Sequence, residues 1–109
     1  INVAGLNVYP KDVEDAVTAM PGITDAVAFR KSDRFAGERV ALLFSAECPV
    51  SPGALREWLS RQLAPHQLPS EMIQVAEIPR QANGKISRCD VAERHAAGAF
   101  LPVQTGVAS

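Results

Sequence analysis

Lys85 follows directly on Asn83-Gly84, a turn dipeptide whose two residues both tolerate positive φ. Pro79 precedes the turn and Ser87 follows it as a helix cap, so the lysine stands at a loop apex. An ammonium presented this way can enter another body and neutralise a phosphate or carboxylate as a point charge. Taken alone, the turn also fits an ordinary exposed lysine. Arg88, three residues on, could position a phosphate, cap the loop or form a surface ion pair. His66 and His95 are the only histidines, and neither has a Ser or Cys beside it in a nucleophile arrangement. Cys89 adjoins the lysine loop as a lone thiol, and Asp12, Glu14 and Asp15 read as a solvated helix face.

The elements that must hold this lysine follow from apolar spacing. Residues 1–10 read as two short extended pieces around Gly5, with β-branched Val3 and Val8 favouring strand; Gly5 permits a tight reversal or the close approach of another chain. Pro10 and Asp12 open a helix with Val13, Ala16, Val17 and Met20 on one face, and Pro21-Gly22 stops it. A strand is expected over 23–30, a polar connection over 31–37, and a continuously apolar, central strand over 40–46. Ser51 caps a helix striped with Leu55, Trp58, Leu59 and Leu63, which Pro65 ends. Trp58 on that stripe is a core residue. Met72, Ile73 and Val75 make a further strand ending near Ile78-Pro79, and Ser87 caps a last helix carrying Val91, Ala92 and His95. The fold class is α+β: a small mixed sheet of about three strands packed by helices, plus a short N-terminal strand pair. One domain is expected over 1–96, with a loosely structured tail over 97–109.

The chain has 109 residues, 47% of them hydrophobic and 21% charged, which sets a single globular domain with one modest core. A formal charge of −1 supplies no basic field for nucleic acid. Apolar runs fall far short of the roughly 20 residues of a membrane span, and no signal peptide is visible. Cys48 and Cys89 are not at metal-ligand spacing and read as free thiols of a reducing cytoplasm. The start at Ile1, already inside patterned sequence, suggests a piece of something longer.

Three separated blocks carry a resemblance. Residues 1–14, with Gly5, Val8, Pro10, Val13 and Glu14, resemble the opening of the C-terminal domain of adenylate-forming enzymes. Residues 33–40, ending in Gly37-Glu38-Arg39-Val40, resemble its strand-hairpin segment. His66-Gln67-Leu68-Pro69, Ile78-Pro79, Asn83-Gly84-Lys85-Ile86 and Arg88 resemble its terminal motif. The form Asn7-Val8-Tyr9-Pro10 is most similar to fatty-acyl and related acyl-CoA ligases. The resemblance implies a two-step reaction with ATP and coenzyme A as substrates. A carboxylate displaces pyrophosphate from ATP to give an acyl-adenylate; the domain then rotates and a thiol takes the acyl group. It implies that Lys85 is the adenylation lysine, that Gly5 lines the pantetheine tunnel with Ala4 and Leu6 flanking it, and that Gly84 and Arg88 serve cofactor binding. From the residue alone, Gly5 is also a plain turn glycine.

Magnesium is expected with ATP, held mainly by a large N-terminal domain that is the implied partner and is not in this sequence. Nor are that domain's phosphate loop and the hinge residue expected just before Ile1. Asn2 and Asn7 stand where some family members carry a functional lysine and an arginine, so those roles are not carried over. The implied setting is cytoplasmic acyl-CoA formation. The alternative is a free-standing module, without activity of its own, that docks on a separate adenylating subunit or a carrier protein.

Overall fold

The longest ladder in the molecule joins β3 (Ile23–Asp33) to β4 (Gly37–Ala46) in antiparallel register, with Ile23 opposite Ala46 and Asp33 opposite Gly37. The computed structural model describes residues 1–34 and 37–98. Both strands run further than their apolar stretches. Lys31 and Ser32 continue β3, paired with Arg39 and Glu38, so strand pairing takes up much of the connection expected over 31–37. The physical reason is that an antiparallel pair needs only its backbone ladder to extend; beyond the core its side chains face water and pair across strands, as Arg30 does with Glu38 at 3.4 Å.

β4 is central. One side carries β3; the other carries β1 (Asn2–Val3), through Val3 opposite Gly37, and further along β5 (Glu71–Gln74), parallel to β4. β2 (Leu6–Asn7) pairs only with β1. The sheet is therefore mixed, three main strands with a short N-terminal pair. A parallel neighbour needs a crossover, and α2 (Pro52–Ser60) supplies it between β4 and β5. Every residue from Val40 to Ser45 is buried, because helices cover both faces of this strand.

α1 (Pro10–Thr18) and α2 pack on one face. There Val13, Val17, Leu55 and Leu59 meet Ala26, Ala28, Val40, Leu42 and Phe44. α3 (Arg88–Ala96) packs on the other, where Val91 meets Val27, Phe29, Ala41, Leu43 and Ile73. The alternation along β3 thus assigns even residues to one layer and odd residues to the other. Pro10 lies in the first turn of α1, and Ser51 and Ser87 cap α2 and α3 by accepting from Ala54 N and Asp90 N. α2 stops at Ser60, earlier than the stripe to Leu63 implies. Its last amides shift to tighter bonds, Arg61 N to Trp58 O and Gln62 N to Leu59 O, and Pro65 opens a 3-10 turn instead of ending the helix. Trp58 packs against the α1–α2 core and donates its Nε1–H to Ala16 O at 2.8 Å, tying the two helices together. No described helix is long and apolar enough to cross a membrane. Of the tail expected over 97–109, Ala97 caps α3 and Gly98 follows it; residues 99–109 lie outside the described residues.

Candidate functional site

The lysine turn is a closed ring of backbone bonds. Gly84 N donates to Gln81 O and Gln81 N donates to Lys85 O, both at 2.8 Å. Asn83 Oδ1 accepts from Lys85 N at 3.0 Å, and Gly84 takes φ +83, the positive value that the Asn-Gly pair anticipates. Lys85 is exposed and forms no ion pair with any described residue. Its ammonium is free to meet an acceptor in another body.

Arginines hold the turn on both sides. Upstream, Arg80 Nη1 donates to Gly84 O at 3.1 Å while Nη2 donates to the Asp25 carboxylate at the start of β3. Downstream, Arg88 grips Glu14 of α1 with two bonds, Nε to Oε2 at 3.0 Å and Nη2 to Oε1 at 2.6 Å. The Glu14 contact holds the Arg88 guanidinium above its already high ordinary value, against the opposing effect of burial. Glu14 Oε2 also accepts Ala28 N on the open edge of β3 at 2.9 Å. This corrects the reading of Glu14 as part of a solvated face: its side chain is only 15% exposed and bonds to both β3 and α3. Arg88 accordingly takes the ion-pair role among the three open to it, with its guanidinium already engaged inside the domain.

The second predicted site lies at the other end of the sheet. Asn2 and Val3 pair with Asn7 and Leu6, leaving Ala4 and Gly5 as the two central turn residues at φ +50 and +86. Two positive values in succession make a type I′ reversal, which matches strand twist. Ala4 is the only described non-glycine at positive φ, a conformation that costs about 1 kcal/mol. Asn2 Oδ1 steadies the turn by accepting Gly5 N at 2.8 Å. A Cβ built on Gly5 meets nothing within 4 Å. Among the described residues, then, glycine is required by its backbone angle and by no steric contact. Leu6 beside it is 52% exposed, a large apolar side chain that the described residues leave open.

Asp25 anchors the lysine turn, whereas β1 meets Gly37, opposite Asp33. Eight residues of β3 separate these attachments, about 27 Å at the rise of an antiparallel strand. Lys85 and Gly5 therefore occupy opposite ends of one rigid ladder. Arg88 alone of the sequence-derived site residues lines the open groove of about 780 Å³ between β3 and α3, with Phe29, Lys31, Cys89 and His95. Across that face His95 Nε2 and Lys31 Nζ both meet Glu71 Oε1 at 3.0 Å, and Phe29 packs edge-on against the imidazole. Among the described residues no three or more His, Cys, Asp or Glu side chains are grouped to hold a metal ion.

The sequence reading missed Arg80, Asp25 and Glu14. Arg80 could have been suspected from its place beside the turn. The partners of Glu14 lie 14 and 74 residues away, and no local pattern marks them.

Residues 12–85 match the model of the AMP-binding enzyme C-terminal domain. The chain belongs to this family. The match contains Lys85 and Gly84, whereas Gly5 and Arg88 lie outside it. The chain is 34% identical over 88 residues to a 3,4-dihydroxybenzoate–[aryl-carrier protein] ligase of Bacillus anthracis, covering 81% of this chain and 21% of the relative. It is 34% identical over 90 residues to a malonate–CoA ligase of Mus musculus, covering 81% and 15%. Among solved structures, a Mycobacterium tuberculosis fatty acyl CoA synthetase superposes with a TM-score of 0.82 at 31% identity, over 90% of this chain and 20% of that one. The chain thus spans about a fifth of the length of the ligases that it matches. It has the α+β architecture of the C-terminal domains of adenylate-forming enzymes, as its sequence implied.

Proposed function

We propose that this chain is the mobile C-terminal domain of an acyl-CoA synthetase and works by presenting two ends in turn to a larger domain. The observation that carries this reading is the placement of an unpaired, exposed Lys85 and an exposed Gly5 turn at opposite ends of one ladder. In the first step a carboxylate oxygen attacks the α-phosphorus of ATP, and the bond to pyrophosphate breaks. Negative charge gathers between the two anions as they approach. Lys85, carried in by domain closure, stabilises that charge more in the transition state than in the ground state. Magnesium enters with ATP, and its ligands belong to the large domain.

In the second step the domain turns its other end inward. The sulfur of coenzyme A attacks the acyl carbon and AMP leaves. The Ala4-Gly5 reversal, with no Cβ at Gly5 and apolar Leu6 beside it, then forms one wall of the path for the pantetheine arm. Gly84 lets the lysine turn close. Arg88 acts by fixing the start of α3 and leaves phosphate contact to Lys85. Removing Lys85 takes the cation out of one step and leaves the other intact.

The test uses the full polypeptide and both half-reactions. Carboxylate-dependent pyrophosphate release is measured over a panel of acetate, malonate, octanoate and benzoate, and acyl transfer to coenzyme A is measured from the supplied acyl-adenylate. Lys85→Ala is expected to cripple the first, leaving a measurable residue, and to spare the second. Equal loss in both refutes the assignment. Replacing coenzyme A by a phosphopantetheinylated carrier protein identifies the acceptor, since both present the same thiol.

A further inference from the structure

We propose that Arg80, fastened by Asp25, is a positioning residue that sets where Lys85 points during adenylation; this rests on the role given to Lys85 above. The lysine turn closes on itself through Gly84 N to Gln81 O and Gln81 N to Lys85 O. A closed turn is rigid internally and can still swing as a unit. Arg80 supplies a direct link from it to the sheet, one arm on Gly84 O and the other on Asp25 of β3. The planar guanidinium fixes both distances at once, which a lysine at the same place could not. Ser87 and the Arg88–Glu14 pair fix the start of α3, so the turn is held upstream and downstream. Arg80 and Asp25 are 44% and 33% exposed, and ion pairs this open contribute little to folding. Their effect is on direction. A cation misplaced by about an ångström can lose on the order of 100-fold in rate.

The experiment compares Arg80→Ala, Arg80→Lys, Asp25→Asn and Lys85→Ala in the full polypeptide, with the acid of the panel that turns over best. Arg80→Ala and Asp25→Asn are expected to lower kcat for adenylation by roughly 10- to 100-fold, with KM for ATP and the melting midpoint nearly unchanged. Arg80→Lys is expected to fall between wild type and Arg80→Ala. Acyl transfer from supplied adenylate is unaffected in all three. In the Lys85→Ala background, Arg80→Ala is expected to cost nothing more, because Arg80 acts only through the lysine. A further loss there overturns the proposal by showing that Arg80 meets substrate itself. Equal losses in both half-reactions, or no loss in any variant, overturn it as well. If Arg80→Ala fails to fold, Asp25→Asn and Arg80→Lys carry the same comparison. Failure of Lys85→Ala to impair adenylation is a separate result, which overturns the role of the lysine instead of its tether.

Discussion

The two ends of the β3–β4 ladder solve the presentation of a working group in opposite ways. At the Lys85 end the backbone turn is relaxed, with glycine at the one positive φ, and side chains do the fixing: Arg80 on Asp25, Arg88 on Glu14. At the Gly5 end the backbone itself is the instrument. Ala4 and Gly5 both take positive φ, and one side-chain bond from Asn2 supports them. The difference suits the two tasks proposed for these ends. A point charge on a flexible four-carbon side chain must be aimed, and anchors on the turn that carries it do the aiming. A wall must be thin and shaped, and shape comes from main chain.

The largest expected effect separates the ends outright. Lys85→Ala is expected to lower adenylation by on the order of 10²- to 10³-fold, the loss typical of a removed charge stabiliser, while acyl transfer from supplied adenylate stays within about twofold. Gly5→Leu is expected to do the reverse. Leucine at φ +86 also costs about 1–2 kcal/mol of strain, so thermal melting must be read beside the rate. Normal turnover in this variant would remove the tunnel assignment and leave a turn glycine.

Between the ends stands Glu14. Its replacement by alanine leaves Ala28 N and the Arg88 guanidinium without their acceptor and is expected to destabilise the domain by about 1–3 kcal/mol, read by urea unfolding. Glu14→Gln keeps an acceptor for the amide and should recover part of that loss. Equal destabilisation by both variants would mean that the charge, and not the hydrogen bond to β3, is what counts.

The smallest effect is on pH. Burial pushes the Glu71 carboxyl up, but Lys31 and His95 outweigh it and hold the group below its ordinary 4.5. Ionised Glu71 therefore stabilises the fold above that ordinary value, and the contribution fades as pH falls through the lower folded value. Glu71→Gln is expected to flatten the acid limb of a stability profile below about pH 5, leaving both half-reactions unchanged at neutral pH. An unaltered acid limb would show that the Glu71 carboxyl does not differ in protonation between folded and unfolded chains.

Local chemistry made much of this legible. Proline starts, serine caps and the Asn83-Gly84 turn are short-range signals, and they place α1, α2, α3 and the Lys85 apex correctly. The unbroken apolar run of β4 announced a central strand because both of its faces are covered. What failed was whatever depended on distant partners. Lys31 and Ser32 read as loop because their pairing with Arg39 and Glu38 is a property of two strands, not one. Glu14 read as solvated because helical spacing shows which residues share a face, not which carboxylate reaches round a sheet edge.

That carboxylate has a further consequence at the border of the sheet. β3 borders the sheet, and a border strand offers unclaimed amides to any passing chain. By taking up the amide of Ala28, and by laying α1 along the same strand, the domain leaves fewer unclaimed amides on this border. An edge occupied in this way offers less to a second copy of the chain.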